Sequence, residues 1–292
     1  MASDPASPQA TAPGPPPPAA GPAPRRSRLD RYLAPKEPIP RTLAFVLGVS
    51  CFALVIGIWA LLSYTGQVRS YFLPTPVTTA RTLYDMFAHQ GFIHDVWAST
   101  YRIMLGFLIA AAIAVPLGIA IGAFRVVQAF FEPLIAAVRY MPASAFIPLL
   151  IIWLGIANGE KIAVIWIGVF FPLALLIADV SANVPKEFLN IAYTLGASRW
   201  QVFWRVLVPA CWPGVVDNLR IAVGWAWTYL IVAELVAANT GIGHVILSAS
   251  RFLQTDQIIA GIITIGILGL LTDAIFRWLH RTLFPYTERV SR

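Results

Sequence analysis

Four ionisable side chains lie inside long apolar runs of the sequence: Arg102, Arg139, Arg220 and Glu234. A charge at the centre of a bilayer costs roughly 2.5 to 3.5 kcal/mol. A membrane chain therefore keeps one for a partner, a snorkelling route or a task. Arg139 stands beside Pro142, with Glu132 two turns earlier on the same helical face, while Asp217 and Arg220 are spaced i, i+3 and can pair. Glu234 suits a gate or a packing role, with packing favoured. Other chemistry is poorly represented. The stretch Gly155 to Lys161 has the wrong spacing for a phosphate-binding loop, and Gly241-Ile242-Gly243 lacks the third glycine and flanking strand of a dinucleotide site, so it reads as loop. The four histidines, His89, His94, His244 and His280, are scattered without metal-ligand spacing, so no metal site is expected.

The composition shows what must position these groups. The chain has 292 residues, of which 58% are hydrophobic and 12% charged, with a mean hydropathy of +0.71. These values lie outside the range of soluble domains and mark an integral membrane protein. The formal charge of +7 does not indicate nucleic acid, because Arg25, Arg26, Arg28, Arg31, Lys36 and Arg41 precede the first apolar run, where orientation by positive charge, or contact with anionic lipid, accounts for them. The two cysteines, Cys51 and Cys211, are far apart and imply no disulfide framework.

Residues 1–42 form a Pro/Ala-rich basic tail, expected to be disordered and cytoplasmic. Residues 43–95 supply a first span, about Leu43 to Tyr64, and an outer interfacial segment in which Ala80, Leu83, Tyr84 and Phe87 share one helical face. No small-residue cleavage site follows that span, so it is expected to stay. Residues 96–280 hold the remaining five spans, near Val96–Phe124, Leu134–Gly155, Ile162–Ser181, Gly214–Ala238 and Gln257–Leu279, and 281–292 form a second cytoplasmic tail. Gly118 and Gly122 have small-xxx-small spacing and predict a close helix contact. Pro142 and Pro148 break the third span, which should face protein or a wet cavity. The polar loop after Ala238 has room for a half-helix. More arginine and lysine falls on one side of the predicted membrane than on the other, placing both termini in the cytoplasm; Lys161, Arg69, Arg81 and Arg251 are assigned to the outer side. Trp59, Tyr64, Trp97, Tyr101 and Trp153 are expected at the outer interface, with Trp278 and Tyr286 at the inner one.

Between the fourth and fifth spans, Pro185 to Pro209 carries Lys186, Glu187, Asn190, Arg199 and Arg205 and must lie outside the membrane. Phe188, Ile191, Ala192 and Leu195 form one apolar helical face, Gly196 ends that helix, and Ser198 with Gln201 forms a capping box that starts a second helix, predicted to stop before Pro209. Such a knob offers a partner an apolar face for a groove.

This stretch resembles the cytoplasmic EAA loop of ABC-importer permeases: Asn190-Ile191-Ala192, then Gly196, then Val206-Leu207-Val208-Pro209. Asn190 and Ile191 depart from the usual glutamate and alanine. From about residue 70 to 285 the chain is similar to the nitrate/sulfonate/bicarbonate (taurine) branch, through Leu73-Pro74-Thr75-Pro76, Ser99 to Arg102 with Gly106-Phe107, Arg139 to Pro142, Pro148-Leu149, Leu219 to Ala222, Ala226-Trp227, Ala233-Glu234 and Gly241 to Gly243. The resemblance implies an all-α integral membrane protein, a type I ABC-importer permease with six transmembrane helices and a helix-turn-helix coupling loop at 185–209, in a bacterial cytoplasmic membrane. It also implies two separate ABC ATPase subunits that bind ATP and Mg, a substrate-binding protein and a second permease copy, with no cofactor or catalysis in this chain. Leu195, Gly196, Ala197, Ser198 and Arg199 are then the coupling residues. Arg139, Trp225, Trp227 and Thr228 are the pathway candidates for a small anion such as nitrate, bicarbonate or a sulfonate; an aromatic or neutral organic compound is the alternative. Arg102, Arg220 and Glu234 are structural or gating candidates. Two other classes stay open on sequence grounds. A secondary transporter would be expected to show internal repeats, and a membrane anchor would not need the broken third span.

Overall fold

The computed structural model describes residues 39–285. The readings made for residues 1–38 and 286–292, including the six basic residues ahead of the first span apart from Arg41, as well as Tyr286, Arg289 and Arg292, lie outside them. The chain divides into two units, 1–57 and 58–292. The described part of the first is helical and belongs to α1, Arg41–Tyr64, which begins inside the stretch assigned to the tail.

The second unit is helical, with no strand among the described residues. After α1 come α2, Pro76–Ala88, and α3, Phe92–Ala123. Next are α4, Arg125–Val138, and α5, Ile147–Leu154, joined through a 3-10 turn at Ala143–Phe146. Then follow α6, Asn158–Ala182; α7, Lys186–Thr194; and α8, Arg199–Val202. A π segment, Phe203–Leu207, leads into α9, Val208–Ala237, and the chain ends with α10, Ile242–Arg251, and α11, Thr255–Leu283. Five helical stretches are long and apolar enough to cross a membrane, and six if the bent pair α4 with 143–154 counts as one.

Helices α3 and α6 form the tightest pair in the bundle, because α3 presents a small residue at every fourth position. Ala110 and Ala114 are fully buried. A Cβ on Gly106 would come within 2.9 Å of Ile165, and one on Gly118 within 2.6 Å of the Ala174 carbonyl oxygen. At the end of the stripe, a Cβ on Gly122 would meet the Ala178 carbonyl and come 2.6 Å from Ser181 Cβ. The expected Gly118/Gly122 contact is present and extends over four turns. The Ser181 hydroxyl bonds across the pair to the Ile119 carbonyl at 3.0 Å. Helix α9 packs on α6 where Gly214 receives Val180 and Gly168 receives the Tyr229 ring.

Three sequence readings are corrected. The third span is interrupted at Pro142 but not at Pro148, and its first helix starts before Leu134. Helix α4 begins at Arg125 and keeps Pro133 inside it, the chain turns at 139–142, and the next helical piece leaves at 82°. Pro142 is extended (ψ 124°) and makes the break, whereas Pro148 lies in the first turn of α5, where a missing N–H costs nothing. The fourth span starts at Asn158, so Lys161 is not in an outer loop but buried at 2% exposure. On α2, Thr79, Thr82, Leu83 and Met86 turn toward the protein, while Ala80, Tyr84 and Phe87 of the apolar stripe are exposed, Tyr84 by 72%. The Thr82 hydroxyl reaches Asp256 on α11 at 2.7 Å, and that bond sets the register.

The third correction concerns Pro209, which does not end a helix. The backbone is helical from Arg199 through Ala237. Proline has no N–H to donate and its ring crowds the carbonyl four residues back. The π turn relieves this by sending the Val208 N–H to the Phe203 carbonyl, five residues back.

Candidate functional site

The bundle has a functional candidate at each end. At one end is the knob, where α7 stops in a Schellman arrangement: Ala197 N–H donates to the Ala192 carbonyl at 3.0 Å and Gly196 N–H to the Tyr193 carbonyl at 2.9 Å. Gly196 takes φ +83°, a left-handed value that suits glycine. The capping box follows at once. Ser198 N–H donates to Gln201 Oε1 at 2.9 Å, and Gln201 N–H to Ser198 Oγ at 3.3 Å. Two helix ends therefore satisfy their own backbone groups within three residues. Leu189, Val202 and Leu207 turn into the bundle. Phe188 and Ile191 face outward with Leu195, which is 83% exposed. Arg199 is also exposed, while Ala197 is half-buried. Trp200 and Trp204 enlarge this exposed surface, Trp200 stacking on Phe203 at 5.9 Å. Sequence reasoning followed the face of α7 and left these two indoles out.

At the opposite end, Glu234 is fully buried and saturated with donors. Arg102 Nη1 donates at 2.6 Å, Ser99 Oγ at 2.9 Å and Gly243 N–H at 2.9 Å. The rest of the Arg102 guanidinium donates from Nε to Asn158 Oδ1 at 2.8 Å and to the carbonyl and hydroxyl of Thr240, each at 2.7 Å. Ile242 N–H donates to Ser99 Oγ at 2.9 Å and Gly241 N–H to Asp95 Oδ1 at 2.7 Å. One ion pair thus ties together the ends of α3, α6, α9 and α10. Beside it Lys161 donates to Glu160 Oε2 at 2.8 Å and to the Ala237 carbonyl at 2.9 Å. Glu160 Oε1 finds no partner among the described residues, and nothing among them accounts for it.

The Gly241-Ile242-Gly243 stretch is consequently not a loop but the start of α10, wrapped onto a carboxylate. A Cβ on Gly241 would strike the Glu234 carboxylate, and one on Gly243 would sit 2.6 Å from Glu234 Cβ. Arg102 and Glu234, flagged separately in the sequence, are partners. Their pairing was hidden because 132 positions separate them. Arg220 does not pair with Asp217. It donates to Asp273 on α11, which also receives Arg277 at 2.8 Å, while Asp217 lies 3.6 Å from His280.

The four pathway candidates are not gathered at one point. Arg139 is exposed in the bend after α4, donating to the Tyr140 hydroxyl at 2.9 Å with its guanidinium 4.8 Å from that ring. Thr228 is exposed and Trp225 half-buried on one strip of α9 with Gly224. Trp227 is only 4% exposed and belongs to the core. Residues two apart on a helix point about 200° apart, so Trp225 and Trp227 cannot share a face, and Trp227 is a packing residue in this conformation.

Similarity to known proteins extends over most of the chain. Residues 114–285 match the family model described as the binding-protein-dependent transport system inner membrane component. The chain is 34% identical over 257 residues to the taurine transport system permease protein TauC of Escherichia coli, covering 86% of this chain and 94% of that protein. It is 28% identical over 246 residues to the nitrate import permease protein NrtB of Synechocystis sp., covering 81% of this chain and 88% of that one. In fold it resembles a solved inward-facing MetNI methionine ABC transporter, with a TM-score of 0.58 at 17% identity over 65% of this chain and 95% of that one. The chain belongs to the family of binding-protein-dependent transport system inner membrane components and is a multi-pass membrane permease of the ABC-importer type.

Proposed function

We propose that this permease is driven through the knob by two separate ABC ATPase subunits, which hold the ATP and Mg, and that it works as a pair of identical copies receiving substrate from a binding protein at the Arg102–Glu234 end. The observation that carries the reading is the exposed apolar knob, whose second helix runs without interruption into α9. A push on Leu195 to Arg199 is therefore a push on a span. No catalytic group is required of this chain. The knob end is assigned to the cytoplasm, because among the described residues Arg125, Lys186, Arg199, Arg205, Arg277 and Arg281 lie on that side of the predicted topology and Arg69, Arg81 and Arg251 on the other. Lys161, being buried, no longer weighs in that balance.

The substrate class proposed is a small oxoanion, of the kind named for the taurine and nitrate relatives. Arg139, Trp225 and Thr228 are the residues proposed to meet it. The test is uptake and ATPase co-purification in the assembled complex, across nitrate, bicarbonate, taurine, alkanesulfonates and neutral aromatic compounds. Arg139→Ala is expected to raise the KM for the anion, and unchanged uptake removes Arg139 from the pathway.

Gly196→Val is expected to abolish co-purification or cut uptake at least about tenfold. No atom lies within 4 Å of a Cβ built there, so the damage comes from the backbone alone, where φ +83° costs a β-branched residue about 1–2 kcal/mol or more. Wild-type values for both measurements would remove the coupling assignment.

A further inference from the structure

Between the knob and the ends of α3, α4 and α6 lies a cavity of about 550 Å³ that shares only Arg199 with the residues assigned to coupling. Its wall includes Arg125, Lys186 and Arg199, with Tyr193, Glu132 and Asp179. The three cations come from three separate elements, each as the first residue of its helix. A cation at a helix N-terminus opposes the backbone dipole, so this placement is unfavourable unless something negative sits nearby. The wall's own carboxylates do not serve. None of the ion pairs between described residues involves Arg125, Lys186 or Arg199. Among the described residues, Arg125 bonds to the Gln128 amide oxygen, at 3.2 Å.

We propose that this cavity is a binding site for a phosphate- or sulfonate-type anionic group, held by Arg125, Lys186 and Arg199. The wall carries three cations and two carboxylates, which fits a group of one or two negative charges rather than a polyanion. Tyr193 and the rings of Phe124 and Phe203 give the rest of the ligand a partly apolar wall. An occupant would bridge α4 to both helices of the knob and stiffen the joint through which the knob acts on the spans. The chemistry is the same for the headgroup of an anionic lipid and for a free cytoplasmic anion. The site does not depend on which ATPase the permease uses.

The full chain is reconstituted in neutral phosphatidylcholine nanodiscs and its thermal unfolding midpoint followed while inorganic phosphate is titrated at constant ionic strength. A second set replaces part of the lipid with phosphatidylglycerol and omits phosphate. A saturable rise in the first set identifies a free anion as the ligand, and a rise confined to the second identifies a lipid headgroup. In either case the Arg125→Gln, Lys186→Gln double variant is expected to weaken the apparent affinity about 10- to 100-fold, the range for losing charged hydrogen bonds. Its midpoint without ligand reports separately on folding. Arg251→Gln, at the other end of the bundle, is expected to leave the response unchanged. No rise with either source, or a double variant that responds as the wild type does, overturns the proposal.

Discussion

Replacing Glu234 with alanine is expected to destabilise the permease by about 3–5 kcal/mol, the range for removing one member of a buried ion pair. The change leaves the Arg102 guanidinium, 4% exposed, without a counter-charge, and it orphans the Gly243 N–H and half of the Ser99 bonding. Each loss alone costs a kcal/mol or more, because a buried donor without an acceptor has given up water for nothing. Glu234→Gln should do less damage, since the amide oxygen can still receive Gly243 and Ser99. The pair replaced together, Arg102→Met with Glu234→Leu, should also be milder than Glu234→Ala, because no charge remains buried. Unfolding midpoints of the purified variants check the order. A double variant worse than Glu234→Ala would mean that the ion pair itself, and not the avoidance of a lone charge, holds this end together.

The second large effect is expected at Gly122. A valine there would drive its Cβ into the Ala178 carbonyl and to 2.9 Å from the Ala182 amide nitrogen. Backbone cannot rotate aside as a flexible side chain can, so α3 and α6 must separate, loosening the Ser181 bond to Ile119. Overpacking of this kind costs about 1–3 kcal/mol, and here the strain falls on the tightest helix pair in the bundle. Gly269, in α11, has nothing within 4 Å of a built Cβ. Gly269→Ala is therefore the matched control and should be neutral or slightly stabilising. Comparable losses at both positions would contradict the close-packing account.

Local signals carried much of the fold in the sequence. The apolar runs gave the spans, and Gly118 with Gly122 announced the α3–α6 contact. Pro185, Gly196 and the Ser198/Gln201 box gave the knob nearly residue by residue, because capping chemistry acts within a few positions. Signals that depend on distant partners were not legible. Arg102 and Glu234 both stood out as buried charges, yet nothing local says that they meet, or that Gly241 and Gly243 are glycine because a carboxylate occupies the space of their side chains. Lys161 looked like a loop residue because charge is a good indicator of exposure, and that indicator fails when Glu160 and the Ala237 carbonyl supply the partners. Pro209 looked like a stop because a proline ordinarily ends the α ladder, and a five-residue π turn let the helix continue. Trp225 and Trp227 look alike as aromatic groups of one span, yet helical geometry places them on opposite faces.

In the proposed function the knob acts as a lever between ATPase and span. Its most direct test is the distance between the two knobs in the assembled complex. A single cysteine at Leu195, which is 83% exposed, is spin-labelled in a background where the exposed Cys51 is serine and the buried Cys211 is kept. The inter-label distance is measured in nanodiscs without nucleotide and then with ATP trapped on the ATPase subunits. A partner that favours one of two states shifts the population toward it, so a shorter distance is expected in the trapped state and a return to the original value after release. The same distance in both states, in a complex that still hydrolyses ATP and imports substrate, would contradict it.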